Sequence, residues 1–329
     1  MRRRHFVKLL GGAAAVWPGA VLGQQPNPVR RIGVLMGYAE GDSEGQARAT
    51  GFLDGLQQLG WTQGHNIRVD IRWADPSDAE KRQRLAKELV ALQPDLIFSN
   101  NTLTTGELLK QTRSIPILFG GVSDPVGGGF VESFRRPGGN VTGFSNTEAP
   151  LAGKWVQLLK EIAPRVEHAA LLFNLATATY AEGYLDSFKV AASSIGLDAI
   201  VASCRDEAQI ESIIAAQGPN SGLVIMPESF FVAHRAQVIA LAARYRLPAV
   251  YPFRAFAEQG GLLSYGNDQI DNFRRAASYA DRILKGEKPA ELPVQAPVKF
   301  ELFINLKTAS TLGLDVPWSL QQRADGLIE

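Results

Sequence analysis

The sequence predicts an α/β protein of two similar doubly wound lobes, each on a parallel sheet, joined by a multi-strand hinge. Three observations predict it. From residue 31 onward, short apolar runs alternate with helix-compatible segments, the pattern of a parallel sheet covered by helices. That pattern runs twice in the same element order. A strong amphipathic segment after the second run suits a helix returning to the first lobe, so the chain crosses between lobes more than once.

The first lobe opens with the strand Ile32-Gly33-Val34-Leu35-Met36 and a loop, Gly37–Ser43. Ala47–Leu59 places Phe52, Leu53, Leu56 and Leu59 at helical spacing before the stop at Gly60. Ile67–Trp73 alternates apolar with charged residues, as a half-exposed or edge strand does. Asp78–Leu92 is an amphipathic helix. Leu96–Phe98 and Ile115–Phe119 are buried strands, and Thr104–Arg113 is the helix between them.

Beyond Gly143 the same units return. The strand Ala169–Phe173, a helical face from Tyr184 to near Gly196, and the strand Ala199–Ala202 match the opening of the first lobe. Leu223–Met226 followed by Pro227-Glu228-Ser229 parallels Leu96–Phe98 followed by Ser99–Thr102, and Leu247–Phe253 parallels Ile115–Gly121. Asp271–Leu284 is the returning helix, Pro289–Val298 an extended proline-rich segment, Phe300–Asn305 a strand and Leu306–Leu312 a helix. The expected organisation is therefore residues 29–143 plus about 265–296 in one lobe, and 144–264 plus about 297–329 in the other.

Residues 1–23 are a separate matter. Arg3-Arg4-His5-Phe6-Val7-Lys8 precedes the short apolar run Leu9–Leu22, and Val21-Leu22-Gly23 offers small residues for cleavage. This is the pattern of an export signal peptide of the twin-arginine type. Its removal leaves 30 basic residues against 33 acidic ones, a net charge of about −3. A slightly acidic chain lacks the basic face that nucleic-acid binding needs. The single cysteine, Cys204, has no partner for an internal disulfide and lies far from the leader, so it is not a lipid-anchored first residue. These features indicate a soluble periplasmic protein, expected to be monomeric.

Five stretches resemble one family: Arg72–Asp75, Ile115–Ile117, Ser123-Asp124-Pro125-Val126-Gly127, Arg136–Gly143 and the tail Phe300–Ala309. It is the ABC-transporter substrate-binding family that includes tryptophan- and tyrosine-type uptake binding proteins. The resemblance spans essentially the whole mature chain. It implies a type I periplasmic-binding-protein fold, a small-molecule ligand enclosed between lobes, and delivery to an ABC permease in the inner membrane.

In an open parallel sheet, ligands bind beyond the carboxyl ends of the strands. In the first lobe these tips hold Tyr38, Asp42, Asn100, Asn101, Thr102, Thr104, Val122 and Asp124. Asn101, Thr102 and Thr104 open a helix, where free N–H groups favour a carboxylate, although capping uses the same residue types. Asp124 suits a ligand ammonium and equally suits turn chemistry. The second lobe offers Asn174, Thr179, Tyr180, Glu228, Ser229, Tyr251, Tyr265 and Asp268. Aromatic residues at several tips suit enclosure of a ring. For the helix that begins near Asp271, Asp271 is the expected cap, leaving Asp268 free.

No catalytic constellation emerges. His65, His168 and His234 are isolated, Gly127-Gly128-Gly129 lacks the Lys-Ser/Thr of a phosphate loop, and Ser145 lacks the closing glycine of a nucleophile elbow. Neither cofactor nor metal is expected. Three readings remain: an uptake binding protein, a ligand sensor for a membrane receptor, and a secreted cleft enzyme using acids such as Glu228 and Asp124.

Overall fold

The computed structural model describes residues 29–329, so the leader expected at 1–23 lies outside the described residues. The first lobe is built on β1 (Arg30–Met36), β2 (Ile67–Trp73), β3 (Leu96–Ser99), β4 (Ile117–Val122) and β5 (Val141–Ser145). They lie in the order β2-β1-β3-β4-β5 and pair in parallel throughout. Between them run α1 (Ser43–Gln58), α2 (Ala79–Ala91) and α3 (Thr102–Gln111). The pleat sends alternate residues to opposite faces, and both faces are covered. Ile32, Val34 and Met36 share a core with Phe52 and Leu56 of α1, whereas Leu35 packs with Leu85 and Leu89 of α2 and Leu108 of α3. The alternating strand β2 stands at the sheet edge, where charge reaches solvent.

The second lobe runs α4 (Leu151–Ile162), β6 (His168–Asn174), α5 (Ala181–Ser194), β7 (Asp198–Cys204), α6 (Ala208–Ala215) and β8 (Ser221–Ile225). It continues with α7 (Ser229–Ala233), α8 (Arg235–Arg244), β9 (Ala249–Tyr251), α9 (Arg254–Glu258) and β10 (Leu263–Asn267). After α10 (Gln269–Leu284), the tail adds β11 (Phe300–Asn305), α11 (Leu306–Thr311), α12 (Trp318–Gln322) and β12 (Gly326–Ile328). The sheet order is β7-β6-β8-β9-β10-β11-β12, with β11 antiparallel to β10. Its first five strands repeat the order of the first lobe, β6 standing where β1 stands. Trp155 and Leu159 of α4 and Phe188 of α5 fill one face, and Ile210 of α6 and Val238 of α8 the other.

Helix α10 leaves the second lobe and docks on the first. Phe273 meets Phe98 edge-on at 5.3 Å, and Phe98 in turn stacks on Phe52 at 3.9 Å. Gly55 of α1 allows this approach, since a Cβ there would lie 2.6 Å from the Arg274 carbonyl oxygen.

Among the described residues three chain crossings join the lobes; the first two lie a few residues later than the expected boundaries, and the third falls where it was expected. Strand β5 stays on β4 as far as Ser145, so the first crossing begins at Asn146 rather than after Gly143. Gly143 instead lies against the Phe119 carbonyl at φ +157°, a close approach and backbone angle suited to glycine. Residues 265–267 remain paired with β11 in the second sheet, which moves the second crossing to Asp268. The third lies in 296–299. The Gln295 N–H donates to the Gly143 carbonyl at 2.9 Å and its carbonyl accepts from the Ser145 N–H at 2.8 Å, so the chain is still on β5 there, before β11 begins at Phe300.

Candidate functional site

The carboxyl ends of the two sheets meet at a cavity of about 30 Å³. The first lobe contributes Gly37 and Tyr38 after β1, Asn100, Asn101 and Thr102 after β3, and Ser123 after β4. Tyr180, Glu228, Ser229 and Phe253 close it from the second lobe, and Asn146 lines it from the first crossing. Two wider cavities adjoin it, one of about 440 Å³ beside Phe134 and Tyr184, and one of about 570 Å³ beside Thr179 and Phe130. Tyr180 borders all three.

Among the described residues, two polar contacts join loop tips and helix ends of the two lobes across the cleft. The Asn101 side-chain amide donates to Ser229 Oγ at 3.0 Å. Arg235 of α8 donates to Asp42 at 2.8 Å, an ion pair whose side chains are only 10% and 14% exposed. The Asp42 carboxylate is also the N-cap of α1, accepting from the Glu44 and Gly45 amides. This one residue therefore starts a helix in one lobe and holds the other.

Arg48 is the buried cation of the site, 5% exposed. Its guanidinium donates to Glu44 at 2.9 Å and to the Gln269 side-chain oxygen at 3.0 Å, and lies over the rings of Tyr38, Phe253 and Phe273 at 5.4, 5.2 and 5.9 Å. Burial works against its charge, but its neighbours Tyr38, Glu44 and Asp42 outweigh that and hold its pKa above the ordinary value. From Gln269 the network continues to Asn146 and Asn267, at 2.7 Å each.

Opposite it, Glu228 caps α7. Its carboxyl accepts from the Phe230 and Phe231 amides at 2.6 and 3.0 Å and from the Thr177 hydroxyl. Burial pushes its pKa up to about 7, against the downward pull of those donors. Burial likewise raises the Tyr38 and Tyr180 phenols, and Tyr180 donates to the Pro227 carbonyl at 2.7 Å.

Of the residues singled out from sequence, Tyr38, Asn100, Asn101, Thr102, Tyr180, Glu228 and Ser229 line the central cavity. Asp124 and Thr179 line the 570 Å³ neighbour, with the Asp124 carboxylate accepting from the Gly127 amide. Asp42 belongs to the inter-lobe pair. The remaining residues are corrected. Thr104 is buried as the capping-box partner of Asn101, which is the N-cap of α3. Val122 is fully buried in the core against α2 and α3. Asn174 is buried outside the cavity lining, its side-chain oxygen accepting from the Ala176 and Thr177 amides. Tyr251 is buried and stacked on Phe256, and Tyr265 stacks on Phe300 away from the cleft. Asp268, not Asp271, caps α10 and pairs with Lys299 at 2.7 Å.

Arg48, Gly37, Asn146 and Phe253 were missed. A charged residue on an amphipathic helix reads as solvent-facing. The available signal was spacing, because Arg48 sits four residues before Phe52, inside the apolar stripe of α1.

Two α/β lobes joined by three crossings, with a polar cavity at facing strand ends, define a type I periplasmic binding protein. The chain belongs to the ABC transporter substrate binding protein family, matching its model over residues 32–328. The tyrosine-binding protein of Clostridioides difficile is 24% identical over 265 residues, 80% of this chain and 76% of that one. A crystal structure from Streptococcus pneumonia in complex with L-Trp is 25% identical, covers 91% of this chain and 99% of its own, and superposes with a TM-score of 0.84. A conserved domain protein from Vibrio cholerae, 27% identical, gives the same TM-score and the same coverage. The ligand-free, open structure of a substrate binding protein from Clostridium difficile, 24% identical over 91% of this chain and 99% of that one, gives 0.69.

Proposed function

We propose that this protein binds a small organic molecule, an amino acid or an aromatic carboxylate, between its lobes and delivers it to the permease of an ABC uptake transporter. It does so in the periplasm, as a monomer exported by the twin-arginine leader, without a nucleic-acid partner. The observation that carries the reading is the cavity itself, where buried polar groups from both lobes converge and inter-lobe contacts close over them. Binding acts by population shift: a ligand touching both lobes stabilises the closed form that a permease distinguishes from the open one. The tyrosine-binding relative and the L-Trp complex support an amino acid with a ring. The neighbouring cavity beside Phe134, Tyr180 and Tyr184 has room for an apolar body.

A thermal-shift screen of L-tryptophan, L-tyrosine, further amino acids and aromatic carboxylates tests this. A ligand present at about 100 times its dissociation constant adds about 2.7 kcal/mol, which raises Tm by several degrees. A flat response to every compound at millimolar concentration rejects the reading.

A further inference from the structure

The polar atoms around the central cavity are unevenly satisfied. Two that are buried have no hydrogen-bond partner among the described residues, Arg48 Nη2 and Asn100 Nδ2. Both are donors and both come from the first lobe. Arg48 is 5% and Asn100 1% exposed, so neither donor turns out to solvent. The other ends of both side chains are fixed: Arg48 by Glu44 and Gln269, Asn100 through its oxygen, which accepts from the Gly37 amide at 3.2 Å. Leaving a buried N–H unpaired costs about 1–3 kcal/mol, more when the group is charged. Such atoms in a native protein mark a place where something else accepts their protons. No cavity-lining acceptor is left unpartnered in the same way, and the carboxyl of Glu228 on the far wall is already occupied by three donors.

From this we infer that Arg48 and Asn100 receive the carboxylate of the ligand, fixing it to the first lobe. A carboxylate has two oxygens with four lone-pair directions and takes both donors at once, and a charge-assisted bond to a guanidinium is about twice as strong as a neutral one. The cavity of about 30 Å³ is the size of such a head group rather than of a whole amino acid. The body of the ligand lies past Tyr180, in the wider cavity beside it. The aromatic rings around Arg48 exclude water and hold the guanidinium in one orientation, so little entropy is lost on binding. Arg48 is thereby the residue that distinguishes an acid from its amide.

The assignment rests on the proposed binding function, and the test separates the two. L-tryptophan, L-tyrosine and benzoate, each paired with its carboxamide, are titrated by calorimetry into the wild type, Arg48→Gln and Arg48→Lys. At least one acid is expected to bind the wild type ten or more times more tightly than its amide. Arg48→Gln weakens that acid at least tenfold and leaves the amide within threefold, so the preference collapses. Arg48→Lys, which keeps the charge but not the fork, loses at least threefold of the preference and serves where the Gln variant does not fold. Equal affinity of the wild type for acid and amide overturns the assignment without any variant. A preference that survives both substitutions overturns it too, with the binding function intact. If no acid or amide binds the wild type, the proposed function fails and the assignment with it.

Discussion

Glu228 is a carboxyl group 3% exposed, lining the cavity between the lobes. Its folded pKa of about 7 lies above the ordinary value of 4.5, so the folded chain keeps a proton that the unfolded chain releases between those pH values. The unfolded state then binds fewer protons, and stability falls as pH rises from about 4.5 to about 7, then levels off. The full effect is up to about 3 kcal/mol. Asp70 acts in the opposite sense: the hydrogen bond from Arg31 holds it low, and its contribution is lost only in more acid solution. Urea unfolding at intervals of pH is expected to show this decline in the wild type. Glu228→Gln should flatten it while lowering stability at every pH, because an amide presents one acceptor where the cap of α7 uses two. An unchanged slope in the variant rejects the assignment. Arg48 teaches a related lesson: it reads as a surface charge until the side chains of Tyr38, Phe253 and Phe273 are placed around it.

At the scale of elements, the contact between α1 and α10 limits residue size at Gly55. Gly55→Ala would improve helix propensity by about 1 kcal/mol. Its Cβ, however, would meet the Arg274 carbonyl at 2.6 Å and the Ala277 Cβ at 2.7 Å, and overpacking of this kind costs about 1–3 kcal/mol. A net loss is expected by chemical denaturation. Gly183→Ala in α5 is the control, since its Cβ would find only the Ala149 Cβ at 3.5 Å, and it should be neutral or slightly stabilising. If both behave alike, propensity rather than packing governs these helices. The repeat was legible at this scale. Ile32–Met36 and Ala169–Phe173 look alike in sequence because each is the second strand from its sheet edge, covered by helices on both faces. Strand β12, three residues long, gave no periodic signal, and its pairing with β11 depends on where the tail returns.

On the proposed function, the whole molecule turns on the balance between open and closed lobes. The Asp42–Arg235 pair joins the two lobes, so in that reading it favours closure at the same step as the ligand does. Arg235→Ala leaves the Asp42 cap of α1 in place and removes this contact. The variant is expected to be more expanded than the wild type in ligand-free small-angle scattering, and to bind the best compound of the thermal-shift screen on the order of tenfold more weakly. Superimposable scattering together with unchanged affinity would exclude a role in closure.

The sequence by itself determined the alternation of strands and helices, the duplication, the return of α10 and the loop tips from which a site is built. These follow from apolar periodicity and turn chemistry, which act over a few residues. Only the tertiary structure decided which tip side chains face the cleft. Tyr38 closely follows a strand run in the sequence and Tyr251 ends one, yet the first lines the cavity while the second stacks on Phe256 in the core. Asp268 and Asp42 are both helix caps, but only Asp42 has an arginine of the other lobe within reach. Such differences depend on the placement of elements far apart in the chain, and a local pattern of residues does not encode which distant neighbour arrives.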